Sequence, residues 1–97
     1  MIKIEINKDK ITIKGHADYK ESGKDIVCAS VSSIVITTIN GILRIDSQAL
    51  DYTEDDGIYI KVKKHTEVVD KLITNMIELL SDLEEQYPKY VNIRRCP

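Results

Sequence analysis

The sequence predicts a single small α/β (α+β) domain of ββαββαβ order, with one mixed β-sheet packed by two helices. Three observations carry that prediction. Apolar and polar residues alternate in five short stretches, an uncharged run of eighteen residues is too long for a strand, and a later stretch repeats its apolar residues at helical spacing. At 97 residues the chain has room for one domain, residues 1–97, and not for two.

At the start of the chain, Ile2, Ile4 and Ile6 alternate with Lys3, Glu5 and Asn7, the pattern of a strand with one buried face. Asn7-Lys8-Asp9 is rich in turn formers, and Ile11 and Ile13 then alternate with Lys10, Thr12 and Lys14, so the two stretches read as a hairpin. Gly15 ends the second strand. A polar loop from His16 to Lys24 follows, and Ser22 or Asp25 can cap a helix that begins near Ile26.

That helix carries Val27, Val31, Ile34, Val35, Ile39 and Ile42 on one broad stripe, with Ile36 off it. A helix apolar on nearly every side is buried on more than one side, by the sheet and by either a second helix or a second subunit. Its β-branched residues have poor intrinsic helix propensity, so packing must hold it, and two strands are the alternative. The uncharged run has the minimum length of a membrane span. Ser30, Ser32, Ser33, Thr37, Thr38, Asn40 and Gly41 lie within it, however, and that polarity predicts a core helix and no membrane association.

Leu50 and Tyr52 alternate with Asp51 and Thr53, Asp55-Asp56-Gly57 gives an Asp-Gly hairpin signal, and Ile58, Ile60 and Val62 alternate again. Thr66 and Glu67 open a second helix with Val69, Leu72, Ile73, Met76, Leu80 and Leu83 on one face. Glu78, Asp82, Glu84 and Glu85 lie on the other, and Pro88 stops it. The stretch from Tyr90 to Arg94 alternates as a final short strand.

Hydrophobic residues make up 42% and charged residues 31% of the chain, the balance of a soluble globular protein. A formal charge of −2 argues against general attraction to nucleic acid and fits a polypeptide partner better. The core is small, so dimerisation would help it. The alternating N-terminus has no signal-peptide pattern; a cytoplasmic protein is expected, with Cys28 and Cys96 as thiols instead of a disulfide. Cys96 is expected to be frayed and exposed, and His65 to be a solvated turn residue. No histidines, cysteines or carboxylates show metal-ligand spacing, and there is no phosphate-binding glycine loop, so no cofactor or metal is expected.

The stretch GHADYKESGKDIVCASVSS, from Gly15 to Ser33, concentrates the chemistry. Cys28 falls in the first turn of the first helix, where unpaired N–H groups and the helix dipole favour a thiolate. His16 leaves the second strand, and the intervening loop can fold it back toward that turn. Thiolate and imidazole together are the minimum machinery for cysteine-dependent acyl transfer, and the helix-start amides suit the oxyanion formed during attack. The competing reading is a core cysteine beside a surface histidine. Asp25 either orients His16 or caps the helix; Asp18 either orients it or is simply exposed. Ser32, one turn after Cys28, either hydrogen-bonds near the site or packs.

This stretch resembles the signature of the ribosomal-processing cysteine protease (Prp) family, found in Firmicutes and their relatives. The likeness rests on Gly15, His16, Ala17, Gly23, Asp25, Val27, Cys28, Ala29, Val31 and Ser32, and the length and element order agree with it along the whole chain. The resemblance implies a homodimeric endopeptidase that removes a short N-terminal extension from ribosomal large-subunit protein twenty-seven. It implies Cys28 as nucleophile and His16 as general acid/base, with the loop between them gating the substrate. Gly15, Ala17, Gly23, Asp25 and Ser32 are then candidates to support the site or bind substrate.

Two rivals come from other classes. A non-catalytic, ribosome-associated module could use the same groove for binding alone, but would need neither a helix-start thiol nor a nearby histidine. A thiol redox protein would need a Cys-x-x-Cys pair or a resolving cysteine near Cys28.

Overall fold

A computed structural model describes residues 1–15 and 26–96. Its elements are β1 (Ile2–Asn7), β2 (Lys10–Lys14), α1 (Ile26–Ile45), β3 (Leu50–Glu54), β4 (Gly57–Val62), α2 (Glu67–Gln86) and β5 (Val91–Cys96). The strands form one sheet in the order β3-β4-β2-β1-β5. β1 and β5 run parallel, with Ile2 opposite Val91; the other neighbours are antiparallel, so the sheet is mixed as predicted.

The two-residue period decides which face is covered. Ile2 and Ile4 of β1, Ile11 and Ile13 of β2, and Ile60 and Val62 of β4 are buried, while Lys3, Glu5, Lys10, Lys14 and Lys61 between them are exposed. Both helices therefore lie on one face, in contact with each other, α1 reaching β3 and α2 reaching β5. Val27, Val31, Val35, Ile39 and Ile42 form the buried stripe of α1. Removing each such side chain from water contributes about 1.5–3 kcal/mol, and this offsets the poor helix propensity of the β-branched residues. The second cover expected for α1 is α2. Within α1 the hydroxyls of Ser30 and Thr38 donate to the carbonyls of Ile26 and Ile34, at 2.7 and 2.8 Å, so their polar groups are satisfied inside an apolar run.

The second helix starts where Thr66 and Glu67 predict, and Thr66 caps it: its Oγ1 accepts from the Val69 amide at 3.2 Å. Glu67 and Asp70 add negative charge to the first turn, where the dipole favours it. Glu84, on the same helix, reaches the edge strand and accepts the Ile93 amide at 2.6 Å, occupying a donor at the sheet's border.

Three local expectations need correction. Cys96 is not frayed: it closes β5 opposite Asn7 and is half-buried, because the final strand runs two residues beyond Arg94. His65 is exposed, but it is clasped between Asp70 (Nδ1 to Oδ1, 2.8 Å) and Asp9 (Nε2 to Oδ1, 2.7 Å). The β3–β4 turn is made by Asp55 and Asp56, with Gly57 already in β4 and without the left-handed φ that the Asp-Gly signal implies.

Candidate active site

Cys28 is the third residue of α1. Its neighbour Val27 is fully buried, and Cys28 itself is half-buried against the core cluster, so helix packing fixes where the thiol stands. Its other side lines a cavity of about 320 Å³. The same cavity is lined by Gly15 at the end of β2, by Ser32 one turn along α1, and by the Glu54–Ile58 segment. Cys28 thus packs on the core on one side and faces the cavity on the other.

Gly15 is there for a geometric reason. Its φ is +91°, and a Cβ would lie 2.4 Å from the Met1 carbonyl oxygen, so only glycine lets the chain leave β2 at this point. Gly57 faces a similar limit, with a Cβ placed 2.7 Å from the Ile13 carbonyl oxygen. β2 and β4 are consequently drawn together at the cavity wall, where Lys14 pairs with Gly57.

The wall contributed by Glu54, Asp55 and Asp56 is anionic. The Tyr59 hydroxyl donates to Asp56 Oδ1 at 2.7 Å, and this bond, helped by nearby Lys14, holds the Asp56 carboxyl below the usual aspartate range. Tyr52 donates to the Glu54 carboxylate, which pushes the phenol above its usual range. Tyr59 likewise keeps the Lys14 ammonium above the usual lysine range, with Nζ 5.3 Å from the ring centroid.

Of the residues predicted for the site, Gly15, Cys28 and Ser32 come together on one cavity, with Ser32 exposed. His16, Ala17, Gly23 and Asp25 lie outside the described residues, as do Asp18 and the proposed gating loop. Sequence reasoning missed the Glu54–Ile58 wall. In the sequence these residues signal only a hairpin turn, and nothing local ties them to Cys28; the pairing of β2 with β4 does. Among the described residues no group of three or more histidine, cysteine or acidic side chains is arranged to hold a metal.

Comparison with known proteins finds a family match over most of the chain. The family profile described as cysteine protease Prp matches residues 1–92. The chain is 31% identical over 96 residues to the ribosomal processing cysteine protease Prp of Mycoplasma genitalium, covering 96% of this chain and 94% of that one. It is 29% identical over 87 residues to the Staphylococcus aureus protein of the same name, covering 86% and 82%. It is also similar to the crystal structure of the essential ribosomal processing protease Prp from S. aureus with a covalently linked product peptide. There the TM-score is 0.93 at 25% identity, over 99% of this chain and 100% of that one.

Proposed function

The chain belongs to the Prp cysteine protease family and is a cysteine-type peptidase, and from that premise we propose that Cys28 is its nucleophile and His16 its general acid/base. The observation that carries the proposal is the position of Cys28, half-buried in the first turn of α1 on the wall of a cavity large enough for a few side chains of a peptide. Gly15, the residue before His16 in the chain, lines the same cavity.

In the proposed reaction the Cys28 thiolate attacks the scissile carbonyl, and amides of the first helical turn meet the oxyanion that forms. His16, protonated, gives its proton to the departing amine as the C–N bond breaks, leaving the N-terminal fragment as a thioester on Cys28. His16 then takes a proton from water, whose oxygen displaces the Cys28 thiolate and frees the fragment as a carboxylic acid. The substrate is the N-terminal extension of ribosomal large-subunit protein twenty-seven, in keeping with the ribosomal-processing role in the relatives' names. The enzyme works in the cytoplasm as a homodimer and needs no cofactor.

Incubation with the precursor of that ribosomal protein, read by mass, tests the assignment. Cys28→Ala and Cys28→Ser abolish cleavage while the fold and substrate binding persist. His16→Ala lowers turnover by a factor on the order of 10²–10⁴. Cleavage by Cys28→Ala would overturn the nucleophile. Sedimentation at micromolar concentration should give twice the chain mass of 11.1 kDa, and a monomer throughout that range would refute the dimer.

A further inference from the structure

We propose that the open face of the sheet is a docking surface for single-stranded RNA. Both helices cover the opposite face, and among the described residues nothing covers this one: Lys3, Lys10, Lys14, Lys61 and Arg94 all stand exposed on it. The strand register sets them in a lattice. Lys3 pairs with Lys14 and Lys10 with Lys61, while Arg94 lies opposite Glu5. Glu5 and Asp51 are the strand acids on this face, with Asp56 at its rim bonded to Tyr59, and Asp51 is already engaged by Lys63 at 3.3 Å. The outer surface of α2 is the reverse, with Glu67, Asp70, Glu78, Asp82 and Glu85 against Lys71.

The formal charge of −2 is thus an average over a cationic sheet and an anionic helix, and it conceals the partner each would take. Neighbouring strands are about 4.8 Å apart and side chains on one face recur about every 6.8 Å, so these cations form a shallow grid about 15 Å across. A grid of that size meets several consecutive phosphates of one polynucleotide strand.

Other occupants fit less well. A second copy placed on this face by a two-fold axis would set cation against cation. An acidic polypeptide would use the ammonium groups alone. Between the cations, however, stand Thr12, Thr53, Asn92 and Tyr59, neutral groups suited to ribose hydroxyls and base faces. Tyr59 is held firm by its bond to Asp56, and Lys14 rests over its ring. With contacts mainly to the backbone, binding should depend strongly on salt and little on sequence. The proposal does not rest on the peptidase reading: the surface borders the Cys28 cavity at Lys14 and Tyr59, but Lys3, Lys10 and Lys61 do not line that cavity.

Titration of a fluorescently labelled uridine oligoribonucleotide with the full chain over a range of salt tests it. The expected result is a linear fall of log affinity with log salt. The combined variant K3E/K10E/K61E should bind on the order of tenfold or more weakly, its slope shallower by about 0.7 for each phosphate no longer neutralised. Peptide cleavage by the same variant should be unchanged, as should RNA binding by the α2 variant K71E. If charge reversal unfolds the sheet, the K3Q/K10Q/K61Q variant gives the same reading with less repulsion. Salt-independent or absent binding, full affinity in the lysine variants, or equal competition by polyglutamate would overturn the proposal.

Discussion

The carbonyl oxygen of Ile13 lies 2.7 Å from the point where a side chain on Gly57 would begin. That oxygen belongs to backbone in a central strand, so it cannot swing aside as a flexible side chain would. Gly57→Ala must push β4 away from β2, and the Glu54–Ile58 wall of the Cys28 cavity moves with it. We expect a loss of about 1–3 kcal/mol in urea-unfolding stability together with reduced kcat/KM on a peptide substrate. Unchanged stability and unchanged turnover would show that the wall does not depend on this contact.

Gly41 gives the opposite expectation. It sits inside α1, and a Cβ there meets nothing within 4 Å. Gly41→Ala removes the entropic cost of glycine in a helix without a clash, so stability should rise by about 0.5–1 kcal/mol. A lower unfolding midpoint would mean that α1 needs the gap for a neighbour, which a second subunit could supply.

His65 should make stability fall as pH rises. Its bond to Asp70 first, and to Asp9 second, raises its pKa above the ordinary 6.5. A group whose folded pKa is raised stabilises fully below its unfolded pKa and loses that contribution as pH climbs through the folded one. The parent should therefore melt higher than His65→Gln at about pH 5.5, and the two should converge by about pH 9. A gap that stays constant across this range would assign the effect to packing and not to charge.

Alkylation should separate the two thiols by consequence. Both cysteines are half-buried, but only Cys28 faces the cavity. In a Cys96→Ser background, loss of peptidase activity should follow iodoacetamide labelling of Cys28 in proportion. A fully labelled Cys28 protein that still cleaved would remove the thiol from the chemistry.

Most of the element order was legible because each element signals locally. Ile2, Ile4 and Ile6 announce a half-buried strand, Thr66 and Glu67 announce the start of α2, and the uncharged run announces α1. The site was legible in part for the same reason, since Gly15, Cys28 and Ser32 are close in the chain. What escaped reading depends on pairing between distant residues. The acid wall reaches Cys28 only because Lys14 sits opposite Gly57, and Cys96 is ordered only because Asn7 is its neighbour. The cationic face escaped for a related reason: the summed charge carries no geometry until the register separates Lys3, Lys10 and Lys61 from the acids of α2.

The parallel pairing of β1 with β5 has a consequence for when the protein can begin to work. Ile2 through Asn7 lie against Val91 through Cys96, residues from opposite ends of the domain. During synthesis the first strand therefore waits, its apolar edge open, until nearly the whole domain has left the ribosome. Met1 and Ile2 crowd against Gly15, and Ile2 lines the Cys28 cavity, so that delay extends to the cavity itself. A nascent chain halted before Val91 would hold Ile2, one residue of that wall, on a strand that still lacks its parallel neighbour. The fifth strand, the last to be made, is thus the one that fixes the strand carrying Ile2.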